Sequence, residues 1–158
     1  MITIICVGKL KENYLKEAEK EYLKRLSKFV KINIIEISDE KVFDLASSKD
    51  MEMIKVKEGK NIIKHIKNNC YLIALAIEGL SFSSESFSKE IKQLQINGIS
   101  NIVFVIGGSL GLSQEILDMS DLNISFSKMT FPHQIARILL LEQIYRAYKI
   151  INNETYHK

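Results

Sequence analysis

Three short segments combine glycine or small polar residues with the ends of apolar runs that are typical of β-strands. They are residues 75–79 (Leu-Ala-Ile-Glu-Gly), 107–111 (Gly-Gly-Ser-Leu-Gly) and 126–132 (Phe-Ser-Lys-Met-Thr-Phe-Pro). Open parallel sheets bind ligands at the carboxyl ends of their strands, and glycine there lets the backbone approach a ligand closely. The three segments are therefore candidates for one ligand site. The alternative is that the glycines only make tight strand-to-helix turns.

The spacing of these residues argues against several common chemistries. The dinucleotide fingerprint needs Gly-x-Gly-x-x-Gly after the first strand, where the chain has only Gly8, so binding of another nucleotide such as NAD is a weak alternative. The sequence contains no P-loop, no Gly-x-Ser-x-Gly elbow and no paired cysteines or closely paired histidines for zinc. We therefore expect no metal ion. Cys6 and Cys70 are predicted to be small buried residues with reduced thiols.

Short β-branched runs that could position these segments alternate with longer helical patterns. Strands are predicted over residues 2–7, 32–37, 71–77, 102–106 and 122–126, and helices over 10–29, 51–68, 84–96, from 113 and over 133–151. Residues 38–50 are predicted to form a mobile loop. This alternation predicts an α/β fold with a parallel sheet and helices on both faces.

Size and charge place the chain among ordinary globular proteins. It has 158 residues, 46% of them hydrophobic and 26% charged, which fits a single domain over residues 1–158. The net charge is +3, but residues 1–31 carry +4, residues 128–158 carry +3 and the middle carries −4. If the ends meet in space they form a phosphate-binding face; the alternative is an ordinary solvated surface. No apolar run is long enough to cross a bilayer, and we expect a cytoplasmic protein.

The last predicted helix is apolar on nearly every face. Its apolar residues exceed a single stripe: Ile135, Ile138, Leu139, Leu140, Leu141, Ile144, Tyr145 and Tyr148. Because a domain of this size cannot easily surround such a helix, we expect it to form a homodimer interface.

Several blocks of the C-terminal half together resemble one family. They are residues 104–111, 124–134 (Ile-Ser-Phe-Ser-Lys-Met-Thr-Phe-Pro-His-Gln), 141–147 (Leu-Glu-Gln-Ile-Tyr-Arg-Ala) and the final Tyr-His-Lys; residues 7–12 and the length fit too. The chain resembles the small pseudouridine N3-methyltransferases of large-subunit ribosomal RNA, the YbeA-like family of the SPOUT superfamily. The resemblance implies an α/β knot with a deep C-terminal trefoil, a homodimer, and a ribosomal substrate.

The resemblance also implies that the three segments hold S-adenosylmethionine. By motif, the cofactor contacts would be Leu75, Gly107, Phe126, Ser127, Lys128, Met129, Thr130 and Phe131. Glycine and backbone amides can approach the carboxylate or ribose of the cofactor, and apolar side chains can pack its adenine.

The reaction would need a group that accepts the imide proton of the target base, and histidine is a natural candidate. The candidates are His133, which alternatively is only a helix-start residue, and Tyr156 and His157, which alternatively lie in a frayed terminus. Arg137 and Lys158 are candidates for RNA contact, Arg137 because no partner for it is evident. Arg146 can pair with Glu142 at helical spacing or contact RNA. A ribosome-binding module without chemistry is the second hypothesis.

Overall fold

The computed structural model describes residues 1–156, in which five strands and five helices alternate. In chain order they are β1 (Ile2–Val7), α1 (Asn13–Leu26), β2 (Ile32–Ile37), α2 (Ser48–Ile63), β3 (Tyr71–Ser81), α3 (Ser84–Ile96), β4 (Ile102–Ile106), α4 (Gln114–Met119), β5 (Leu122–Ser125) and α5 (His133–Ile151). His157 and Lys158 lie outside the described residues. The predicted alternation is confirmed. Helix α2 begins earlier than predicted because Ser47 and Asp50 form a capping box before it.

The five strands form one parallel sheet in the order β2-β1-β4-β3-β5. All five residues of the central strand β4 are buried, which is typical of a parallel sheet covered on both faces. The predicted α/β class is therefore confirmed. The strand order does not by itself establish the trefoil knot, which stays a prediction.

Alternate residues of each central strand enter two separate apolar cores. Ile4 of β1 and Phe104 of β4 pack with residues of α1, α3 and α5, whereas Ile5 and Val105 pack with residues of α2 and α4. The period of two along each strand thus sends neighbouring side chains to opposite faces. Three helices cover one face of the sheet and two cover the other.

Helix α5 lies between α1 and α3 on the larger core. Leu140, Leu141 and Ile144 are fully buried there, so a single chain covers more of this helix than the sequence suggests. Ile135 and Ile138, three residues apart and therefore on one side of α5, are only partly buried. An apolar strip on α5 thus remains incompletely covered.

Arg137 of α5 is the most deeply buried charged residue among those described, with 1% of its side chain exposed. Its guanidinium donates to Glu36 at 2.8 Å, to Glu19 at 3.1 Å and to the carbonyl oxygen of Gly8 at 2.8 Å. The expectation that Arg137 has no partner is wrong, because its partners lie more than a hundred residues away in sequence. A guanidinium enclosed in this way does not present a free charge to an RNA phosphate.

Replacing Arg137 with methionine should destabilise the fold strongly. Arg137→Met keeps a long apolar side chain but leaves two partly buried carboxylates and one carbonyl without their donor. We expect the free energy of unfolding to fall by about 3 kcal/mol, measured by chemical denaturation. The matched control Arg25→Met removes an exposed ion pair with Glu21. Its free energy of unfolding should fall by much less. Equal losses in the two variants would contradict this account of Arg137.

Candidate cofactor and active site

A cavity of about 500 Å³ opens at the carboxyl ends of β3, β4 and β5. The three segments singled out in the sequence all contribute to its walls. Seven of the eight residues predicted to bind the cofactor line it: Leu75, Gly107, Phe126, Ser127, Met129, Thr130 and Phe131. Lys128 is exposed and is not among the lining residues. The structure therefore brings the predicted residues together in one place, although their contacts with a cofactor stay a prediction.

A bulge in β3 builds one wall of this cavity. Leu75 and Leu80 both pair with Ile124 of β5, so residues 76–79 interrupt the regular pairing of β3 with β5. A Cβ on Gly79 would lie only 2.6 Å from the backbone carbonyl carbon of Ile124, so glycine is required for this close approach. The predicted strand end at residue 77 is therefore wrong, since β3 resumes after the bulge and continues to Ser81.

The glycine segment after β4 folds back on itself. The backbone N–H of Gly111 donates to the carbonyl oxygen of Gly108 at 3.1 Å, and Gly111 has a positive φ of 84°. A Cβ on Gly107 would lie 2.6 Å from the backbone of Gly111. The glycines thus make the tight turn of the alternative interpretation, and the same turn forms a wall of the cavity.

Serine side chains shape the segment between β5 and α5. The hydroxyl of Ser125 donates to the carbonyl oxygen of Ser127 at 2.9 Å, and the Ser127 hydroxyl accepts from the backbone N–H of Met129 at 3.0 Å. Met129 is 73% exposed and Phe131 39% exposed. These two apolar side chains therefore form part of the rim of the cavity.

His133 lines the cavity at the start of α5. Its Nε2 atom lies 2.6 Å from the position that a Cβ on Gly8 would occupy, so the ring packs directly against the end of β1. Partial burial lowers the pKa of this imidazole below its ordinary value of 6.5, while Asp39 opposes the shift. At neutral pH the ring is therefore neutral and able to accept a proton.

Glu58 of α2 is a buried carboxylate beside the glycine turn that the sequence analysis did not single out. Only 4% of the residue is exposed, and one carboxylate oxygen lies 3.2 Å from the position of a Cβ on Gly108. The other carboxylate oxygen accepts a hydrogen bond from the backbone N–H of Glu40 at 3.0 Å. Burial raises the pKa of the Glu58 carboxyl group. Its spacing of four from Ile54 and Ile62 is the signal that would have placed it on the buried face of the helix.

Tyr156 is not among the residues that line the cavity and packs against α5 instead. Its hydroxyl donates to Glu142 at 3.3 Å, its ring centroid is 4.9 Å from that of Tyr145, and the guanidinium of Arg146 lies 4.7 Å from the same ring. Arg146 also pairs with Glu142 at 2.6 Å, the pairing that the helical spacing indicates. The described chain thus separates two of the catalytic candidates, His133 and Tyr156. His157 and Lys158 lie outside the described residues.

Within residues 1–156, no group of three or more His, Cys, Asp or Glu side chains is arranged to hold a metal ion. Over the same range, no helix is both long enough and apolar enough to span a membrane.

Comparison with known proteins gives full-length matches. The family described as "Predicted SPOUT methyltransferase" matches residues 1–157. Proteins named "Ribosomal RNA large subunit methyltransferase H" from Clostridium kluyveri and Clostridium novyi are 57% and 59% identical to the chain over 157 residues, which is 99% of each protein. Among solved structures, a probable methylase family protein from Haemophilus influenzae has a TM-score of 0.57 at 13% identity. That match covers 99% of this chain and 70% of the other, and it supports the fold alone.

The lowered pKa of His133 can be tested by titration. We expect the NMR signals of this imidazole, identified by their loss in His133→Asn, to titrate with a midpoint below 6.5, because burial disfavours the charged ring. Between that midpoint and 6.5 the unfolded chain binds a proton that the folded chain does not. The stability of the wild type should therefore fall as the pH falls through this window, and His133→Asn should lose that component. A midpoint at or above 6.5 would contradict the burial of the ring.

Proposed function

The chain belongs to the SPOUT methyltransferase family, and from this premise we propose that it methylates N3 of a pseudouridine in large-subunit ribosomal RNA with S-adenosylmethionine as the methyl donor. The observation that carries the proposal is the match at 57–59% identity, over nearly the whole chain, with proteins named ribosomal RNA large subunit methyltransferases. The chain is a methyltransferase. The donor, the target atom and the ribosomal context belong to the proposal.

The cavity at the carboxyl ends of β3, β4 and β5 fits S-adenosylmethionine in size and in lining. Its volume of about 500 Å³ is within the usual range for small-molecule sites. Leu75 and Phe126 offer apolar surface for an adenine ring. The turn at Gly107 brings backbone close to the cavity with no side chain in the way. We propose as the full contact set Leu75, Gly107, Phe126, Ser127, Lys128, Met129, Thr130 and Phe131.

The chain's own part in the reaction is alignment and proton transfer. When bound, S-adenosylmethionine supplies a sulfonium methyl group that carries its own leaving group. The protein must hold N3 of the base in line with that methyl group and accept the N3 proton. His133 is neutral at neutral pH and lies in the cavity wall. Tyr156 and His157 are the candidates for contact with the target base.

We further propose that the active protein is a homodimer that recognises an assembled ribosomal site. The incompletely covered apolar strip of α5 supports the dimer, since a second copy would bury it. The chain is predicted to form one domain over residues 1–158 and has a net charge of only +3, so recognition depends on the shape of the ribosomal site more than on phosphate affinity. Lys158 is the remaining candidate for RNA contact. A ribosomal substrate places the enzyme in the cytoplasm.

The test is transfer of labelled methyl from S-adenosylmethionine to assembled ribosomes, separated subunits and naked ribosomal RNA, followed by identification of the modified nucleoside. We expect label on a pseudouridine of the large subunit, with assembled ribosomes strongly preferred. Calorimetric binding of S-adenosylmethionine is the parallel readout. Cofactor binding without label on any of these substrates would point to another acceptor. If the protein does not bind S-adenosylmethionine and transfers no label, a ribosome-binding module without chemistry would be favoured.

Removal of the C-terminal tail should separate catalysis from binding. A chain that ends at Thr155 lacks Tyr156, which packs on Tyr145 and Arg146 outside the cavity. We expect methyl transfer to be lost, while cofactor affinity by calorimetry and dimer mass by light scattering are unchanged.

The matched control for this truncation is Tyr156→Phe. It keeps the ring contacts and loses the hydroxyl, which donates to Glu142 and also interacts with Tyr22, so it should retain part of the activity. Full turnover by the truncated chain would show that the tail is not part of the active site.

A further inference from the structure

A second, smaller cavity of about 270 Å³ lies next to the first. The two cavities share Ile124, Ser125, Phe126 and Phe131 as walls. The remaining walls of the second cavity come from the start of α3 and from α5: Phe82, Ser83, Ser84, Phe87, Leu139 and Gln143. A group held in this cavity is therefore separated from the proposed cofactor site only by the end of β5 and the segment after it.

Aromatic rings dominate the lining of the second cavity. Four phenylalanines contribute to it: Phe82, Phe87, Phe126 and Phe131. Proteins that bind unstacked RNA bases hold them by stacking on such rings. The volume of about 270 Å³ is large enough for a single pyrimidine ring. The aromatic lining of the cavity thus favours a flat heterocycle over a flexible aliphatic group.

Three serines and Gln143 supply the polar side chains of this lining, and hydrogen bonds fix the orientation of the Gln143 amide. Its Nε2 donates to a carboxylate oxygen of Glu142 at 2.6 Å, and its Oε1 accepts from the hydroxyl of Ser84 at 2.7 Å. Because a carboxylate can only accept, the NH₂ group must face Glu142 and Oε1 must face Ser84. Oε1 keeps a second lone pair for a donor in the cavity.

The other carboxylate oxygen of Glu142 accepts hydrogen bonds from two further side chains. Arg146 donates to that oxygen at 2.6 Å and Tyr156 at 3.3 Å. The candidate tail residue Tyr156 is therefore connected through Glu142 to the amide of Gln143. One hydrogen-bonded chain joins the tail to the second cavity.

We propose that the second cavity receives the target base and that Oε1 of Gln143 accepts the N1–H of pseudouridine. This inference rests on the proposed function and identifies a specificity-determining residue for it. In uridine N1 is bonded to the sugar, whereas in pseudouridine the sugar is attached to C5 and N1 carries a hydrogen. With N3 facing the first cavity, an acceptor beside N1 meets a hydrogen on pseudouridine, whereas uridine has its sugar bond at that atom and offers only N3–H, the hydrogen that the reaction removes. N3, on the other side of the C2 carbonyl, stays free to face the first cavity.

The test compares methyl transfer to ribosomes that carry pseudouridine at the target position with transfer to ribosomes that carry uridine there. Gln143→Leu preserves the size of the side chain and removes the acceptor. We expect its kcat/KM on pseudouridine ribosomes to fall by about tenfold, as for one lost hydrogen bond. The preference for pseudouridine over uridine should shrink by a similar factor, while the affinity for S-adenosylmethionine is unchanged. Gln93→Leu, at an exposed position of α3, is the matched control and should behave as wild type.

Each result bears on a different part of the proposal. An unchanged preference for pseudouridine in Gln143→Leu would overturn the role of Gln143. No transfer by the wild type to either ribosome would refute the proposed function instead. If Gln143→Leu fails to fold or to bind cofactor, Ser84→Leu decides, because it narrows the second cavity from the first turn of α3. Loss of transfer with cofactor binding intact would then support the base site, and full transfer would overturn it.

Discussion

A single buried guanidinium determines where the last helix meets the sheet. Arg137 lies one turn into α5 and binds the end of β1 through Gly8, α1 through Glu19 and β2 through Glu36. Taking a charge out of water is costly, so the arrangement is stable only while all three partners are in place. Cys6 lies beside it, and burial raises the pKa of that thiol to about 12, which keeps it uncharged. The cavity residues at the start of α5 depend on this anchor for their position.

The elements that the sequence predicts well are those whose signal is local. β-Branched runs predict the five strands, and the apolar periodicity predicts the helices, because burial on a period of two or 3.6 leaves a direct trace. The bulge in β3 leaves no such trace, since it depends on contact between Gly79 and the backbone of Ile124 in another strand. The partners of Arg137 are likewise set by packing between distant elements.

In the candidate site, too, the sequence predicts some features and not others. Glycine and small polar residues at strand ends are enough to predict where the cavity lies, because the carboxyl ends of parallel strands must meet at one edge. Side-chain roles are less accessible. Glu58 is charged yet buried beside Gly108, and Gln143 gains its orientation only from Glu142 and Ser84. Hydrogen-bond partners on other elements decide such roles, and sequence spacing alone does not contain them.

The bulge in β3 divides the strand into residues that pair with β5 and residues that line the cavity. Because Leu75 and Leu80 both pair with Ile124, residues 76–79 have no pairing partner of their own in β5. Ala76, Ile77 and Glu78 line the cavity from that segment, so substitutions there can reshape the wall without changing a residue that pairs with β5. Gly79 does not tolerate substitution in this way, because a Cβ there would collide with the backbone of β5. The fold thus contains a short interval in which evolution or an engineer can retune ligand preference without disturbing the scaffold.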